Sequence, residues 1–121
     1  LAELWHSSLL AEWLEQATTV RWELRSCRHE YYGPGDYSLL HDSEGEGRRL
    51  LLAYDLTEQP QALIGGHHIF NFAEGVQTTC NRETGALVLA LLGAGDLECM
   101  RYVSKLSPGA VRLEYAQFGQ A

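Results

Sequence analysis

The sequence predicts a mainly β domain with one N-terminal helix, built as a sandwich, a jelly roll or a small barrel. Three observations carry this. An apolar stripe at helical period occupies the opening segment. The period then changes to two. From there, turn-forming residues punctuate the chain about every ten residues and leave about eight short strand candidates between them.

The opening stripe is Leu1, Trp5, Leu9, Trp13 and Ala17, with Leu10 and Leu14 alongside and Glu3, His6, Ser7, Glu15 and Gln16 between them. That pattern predicts a helix over about 1–18 that packs its stripe on the domain. After Thr19, Val20, Trp22 and Leu24 alternate with Arg21, Glu23 and Arg25. In a strand these two sets point to opposite faces. The turn signals are Gly33-Pro34-Gly35, Glu44 to Gly47, Gln59-Pro60, Gly65-Gly66, Asn81 to Gly85, Gly93 to Asp96, and Ser107-Pro108-Gly109. Between them the predicted strands are Tyr37 to His41, Arg49 to Thr57, His67 to Ala73, Val76 to Cys80, Ala86 to Leu92, Glu98 to Ser104, and Val111 to Phe118. Leu50-Leu51-Leu52 and Ala86 to Leu92 are apolar on both faces, which places those strands centrally.

The 121 residues suit one domain, with the barrel over about 20–118. No internal repeat or linker divides them. The chain begins at Leu1 rather than Met, so it is expected to be a fragment or a domain cut from a longer chain. A formal net charge of −7 argues against a nucleic-acid-binding role but admits a basic protein partner. No apolar run approaches a membrane span, so no membrane partner is expected. Three cysteines without metal-ligand spacing read as free buried thiols, which points to the cytoplasm or nucleus.

The segment Tyr32-Gly33-Pro34-Gly35-Asp36-Tyr37-Ser38-Leu39-Leu40-His41-Asp42 resembles the iron-binding strand of prolyl-hydroxylase-type Fe(II)/2-oxoglutarate oxygenases. In that family a His-x-Asp and a distal His form the facial triad for non-haem iron, and an Arg binds the co-substrate carboxylate. The resemblance implies a double-stranded β-helix (jelly roll, cupin-like) with the helix packed on it. The iron chemistry does not follow. His41 and Asp42 are adjacent, so on a regular strand they face opposite sides. The distal ligand should come from Glu98 to Ser104 or its exit, yet none of the five histidines lies beyond His68. Met100, Tyr102 and Ser104 stand there instead. His41 and Asp42 therefore read as a vestigial iron-site region, and Arg112 as a vestigial 2-oxoglutarate contact. No catalytic residue, metal ligand set or cofactor is assigned to this domain. His67-His68 reads as one buried, hydrogen-bonded ring and one exposed ring.

Tyr37-Ser38-Leu39-Leu40-His41-Asp42 is most similar to the Tyr-Thr-Leu-Leu-His-Asp of the second domain in the two-domain ribosomal prolyl hydroxylases. Arg48 to Thr57, Ile64-Gly65-Gly66, Thr79-Cys80-Asn81 with Gly85 to Leu89, and Met100 to Val103 follow that domain in order. In that family the first domain holds Fe(II) and 2-oxoglutarate, and the second has lost the metal and is called the degradation domain. The resemblance implies a non-catalytic companion that supports the catalytic domain of the same chain and mediates protein interaction or partner turnover. Two rivals stand beside it. One is a divergent active dioxygenase with Asp42 turned inward by a bulge. The other is a cupin-like small-molecule module, favoured by an open cavity holding His68, Tyr102 and Arg112. An interior filled by Leu50, Leu52, Leu87 and Leu89 would oppose the cupin-like module.

Overall fold

A computed structural model describes residues 2–41 and 47–121. The turn expected at Glu44 to Gly47 falls mostly outside them. The opening segment forms two helices rather than one, α1 (Ala2–Trp5) and α2 (Ser8–Thr18). Ser7 between them has extended backbone. This break resets the helical phase, so the period-four stripe does not stay on one side. Trp5, Leu10 and Leu14 pack down, while Leu9 and Trp13 are 76% and 51% exposed. α2 stops at Thr19, whose left-handed backbone (φ 61°) lets its N–H reach the Glu15 carbonyl at 2.8 Å. Thr18 ties this end to the next element: its Oγ1 donates to the Leu14 carbonyl and accepts from the Trp22 indole N–H at 2.7 Å.

Among the described residues seven strands follow: β1 (Trp22–Tyr32), β2 (Arg49–Asp55), β3 (His68–Asn71), β4 (Gln77–Cys80), β5 (Leu87–Leu92), β6 (Leu97–Met100) and β7 (Val111–Gln120). They form a larger sheet in the order β1-β7-β2-β5 and a smaller one in the order β4-β3-β6, with every pair antiparallel. After β2 the chain crosses to the smaller sheet for β3 and β4, returns for β5, crosses for β6 and returns for β7. The expected strand Tyr37 to His41 is an extended segment along β6 rather than a regular strand. Ser38 N–H donates to the Met100 carbonyl, and His41 and Glu98 exchange both backbone hydrogen bonds.

The larger sheet is apolar on both faces, so it has a core on each side. Leu51, Ala53, Ala90, Leu92, Val111, Leu113 and Tyr115 face inward onto Phe70 and Met100. Leu50, Leu52, Ala116 and Phe118 face outward beneath Trp5 and Leu14. The interior is therefore not filled by Leu50, Leu52, Leu87 and Leu89; the last two are on the outer face and exposed. A continuous apolar run does not reveal its phase, and only packing settles which set turns inward.

β1 changes phase partway along. Its register against β7 slips between Leu24 and Ser26, leaving Arg25 as an extra residue. Before this bulge, Trp22 and Leu24 face outward to the helices. After it, Arg28 lies opposite the inward-facing Tyr115, Glu30 opposite Leu113 and Tyr32 opposite Val111. One inserted residue thus turns Arg28, Glu30 and Tyr32 into the barrel.

Candidate functional site

Polar side chains converge at the mouth and in the interior of the barrel from four of its segments. β1 contributes Arg28, Glu30 and Tyr32. The extended segment contributes His41, β3 contributes His68, and β6 contributes Glu98. Arg28 Nε donates to Glu30 Oε1 at 2.6 Å, and Tyr32 Oη donates to Glu30 Oε2 at 2.6 Å. The Arg28 guanidinium also stacks on the Tyr115 ring, 4.5 Å from its centroid. Burial pulls the Arg28 guanidinium down, but the hydrogen bond and charge of Glu30 more than offset it. Burial pushes the Tyr32 and Tyr115 phenols up, so both stay neutral hydrogen-bonding groups.

At the centre stands Glu98, only 3% exposed, between two imidazoles. Its Oε1 is 4.0 Å from His41 Nε2, and its Oε2 is 3.9 Å from His68 Nε2. Burial raises the Glu98 carboxyl above its ordinary range, and His41, Arg28 and Arg49 pull against that rise. His68 is 1% exposed and stacks on Phe70 at 4.3 Å, with its edge toward Tyr115 at 5.9 Å. Burial, then the charges of Arg82, His41 and Arg28, lower its pKa to about 3. His68 is therefore a neutral ring at physiological pH.

His68 is the buried member of the His67-His68 pair, and His67 is half-buried rather than exposed. Among the described residues neither Nδ1 has a hydrogen-bond partner, and ring packing holds His68.

Two histidines and one carboxylate are the donor types of a non-haem iron site. Their spacing does not fit one ion. Donors bound to one metal at about 2.1 Å and right angles stand about 3 Å apart. Here each imidazole is nearly an ångström farther from Glu98, and the two address different carboxylate oxygens. Arg28, Arg49 and Arg82 add positive charge around the same groups. Among the described residues, no three His, Cys, Asp or Glu side chains stand at metal-ligand spacing.

The structure brings His41 to the barrel mouth and places Arg112 apart from it. Asp42 lies outside the described residues. Arg112 is on the outer face of β7, between the inward-facing Val111 and Leu113. Its guanidinium lies 5.8 Å from the Tyr31 ring centroid rather than against Glu114 or Glu98, and Glu114 bonds His29 instead. Tyr102 is also exposed, beside Tyr37 at 6.5 Å. His68, Tyr102 and Arg112 therefore share no cavity. The cysteines are free, but Cys27 is exposed and Cys80 and Cys99 are half-buried.

Arg28, Glu30, Tyr32 and Glu98 were not legible as site residues. The bulge that turns the first three inward has no sequence signature. Glu98 had one available signal: it is the lone carboxylate in the strand expected to carry the distal ligand, in phase with Met100.

No protein-family model matches the chain, and no curated protein does. Solved structures match its backbone. A 2OG-Fe(II) oxygenase family oxidoreductase from Burkholderia pseudomallei superimposes with a TM-score of 0.77 at 11% identity, over 98% of this chain and 54% of its own. The fold is that of the 2-oxoglutarate oxygenases. A prolyl-4-hydroxylase from Pseudomonas putida gives a TM-score of 0.70 at 20% identity, over 99% of this chain and 63% of its own. The chain thus spans between half and two thirds of the length of these oxygenases. At such identities the likeness is one of fold.

Proposed function

We propose that this domain is a non-catalytic double-stranded β-helix, a companion to the catalytic domain of a 2-oxoglutarate-dependent prolyl hydroxylase. It supports that domain by packing and offers its outer surface to protein partners. The observation that carries this reading is the placement of Glu98. It fills the barrel interior between His41 and His68, too far from either imidazole for a shared ion and ringed by arginines. Beside it Arg28, Glu30 and Tyr32 are hydrogen-bonded to one another, so this end of the barrel is occupied by a network of the chain's own polar groups. Arg112 supports the same reading, because from the outer face it does not reach that network.

The test is anaerobic titration of the chain with Fe(II) and 2-oxoglutarate, followed by oxygen exposure and a succinate assay. The expected outcome is no saturable binding in the micromolar range and no succinate. Micromolar binding with succinate production would establish an active dioxygenase with a rearranged ligand set. The convergence of two histidines and a carboxylate is the one observation on that side, and loss of iron in Glu98→Gln would confirm it.

A further inference from the structure

The two sheets leave four strand edges, and three of them are protected. β1 carries Glu23, Arg25, Arg28, His29 and Glu30 and a bulge, all of which discourage strand addition. β4 is only four residues long and polar (Gln77–Cys80). The free side of β6 is taken by the segment ending at His41. β5 has none of these protections. It reads Leu-Val-Leu-Ala-Leu-Leu, without charge or proline, inside an uncharged run from Thr84 to Gly95.

Its backbone polarity follows from the register. Asp55 N–H donates to the Ala86 carbonyl, which makes that pair a hydrogen-bonded one. Alternation along β2/β5 then turns the backbone groups of Val88, Ala90 and Leu92 toward β2. Those of Leu87, Leu89 and Leu91 point to the open edge, where no backbone group of a described residue meets them. The side chains of the same three leucines lie on the outer face, 43%, 37% and 39% exposed. The helices lie over β1, β7 and β2 and leave these three leucines exposed.

We propose that β5 is the seam of a symmetric dimer, in which two copies of this chain pair antiparallel about a two-fold axis at Leu89. The strand fits itself. With the axis at Leu89, its N–H and C=O exchange with those of Leu89 in the second copy, and Leu87 exchanges with Leu91. Every outward backbone group of the three leucines is then paired. The axis stands perpendicular to the sheet, so the two leucine stripes come together on one face and bury each other. Each chain carries a formal net charge of −7, but no charged side chain lies between Thr84 and Gly95, so two copies pairing along β5 bring no like charges opposite each other in the seam. The two four-stranded sheets become one continuous sheet. This dimer does not depend on whether the barrel is catalytic.

Sedimentation equilibrium tests it. The expected mass is twice the 13.5 kDa of the chain. Leu89→Lys sets two lysines against each other at the axis and is expected to give a folded monomer by circular dichroism. The register has its own test, made in a Cys27→Ser background because Cys27 is exposed. Paired residues across such a seam have Cα atoms about 5.5 Å apart, within disulfide range. With oxidised glutathione, Leu89→Cys is expected to crosslink to itself, and Leu87→Cys alone is not. A wild-type monomer at the highest soluble concentration would overturn the proposal, whether or not another protein's strand binds there. So would a folded Leu89→Lys dimer, or equal crosslinking from both cysteine variants. If Leu89→Lys does not fold, the cysteine variants decide the register on their own.

Discussion

Acid should weaken this protein through His68 in particular. The folded barrel holds His68 neutral, with its pKa lowered to about 3 from an ordinary 6.5. The unfolded chain has no such restraint and binds a proton as the pH falls through 6.5. Because the folded pKa is depressed, the stability at stake is whole above the unfolded value and is lost progressively between about 6.5 and 3. At about two pH units below the unfolded value the loss is roughly 3 kcal/mol, since each unit is worth about 1.4 kcal/mol. Glu98 works the other way. Its carboxyl is raised by burial, so the folded state takes up that proton more readily than the unfolded chain, and falling pH relieves a cost. The His68 contribution is therefore isolated by comparing wild type with His68→Phe, which keeps a ring between Phe70 and Tyr115 and removes the titration. Urea denaturation from neutral pH down to about pH 4.5 should show the wild type losing about 3 kcal/mol more than the variant. Parallel losses would refute the reasoning. So would an NMR titration placing the His68 pKa near 6.5 in the folded protein.

Three further outcomes follow from packing and backbone geometry. Gly65 has φ +85°, and a Cβ there would collide with the Tyr102 carbonyl, so Gly65→Ala should cost more than about 3 kcal/mol by urea denaturation or prevent folding. Asp55 is buried, accepts the Thr57 and Glu83 N–H groups at 2.9 Å, and lies 3.7 Å from Arg82, whose side chain is 4% exposed. Asp55→Ala leaves that guanidinium buried without its counter-charge and should cost about 3–5 kcal/mol. Thr19 holds left-handed backbone, strained for a β-branched residue, so Thr19→Gly should raise stability by about 1 kcal/mol, read as a higher melting temperature.

The strand pattern was largely legible because turn residues and period-two runs are local signals. Gly33 to Asp36 is a turn in which the Asp36 carboxylate accepts the Gly33 N–H, and Gly93 to Asp96 repeats that arrangement. β2 and β5 fall inside their expected spans. What was not legible depends on partners distant in the chain. The helix break at Ser7 has no side-chain cap hydrogen bond to betray it, and a stripe of tryptophans and leucines reads through it as one helix. Tyr37 to His41 has strand composition, but only one side of it meets a neighbour, β6, and its backbone stays irregular. For the candidate site, His41 was found because it sits in a motif. Its companions were missed because a half-buried arginine or a buried glutamate looks like a surface residue until a fold encloses it.

The single extra residue in β1 has a consequence for how this strand tolerates change. Upstream of Arg25 the strand serves the helices; downstream it serves the barrel interior. The two halves stay in agreement only through the number of residues between them. Deleting one residue there would send either Trp22 and Leu24 into the interior or Arg28, Glu30 and Tyr32 onto the apolar outer face. The identity of Arg25 is far less restricted, since its side chain lies on the surface. At this position chain length is constrained while side-chain chemistry is free, so relatives of this domain should differ there by substitution and not by insertion or deletion.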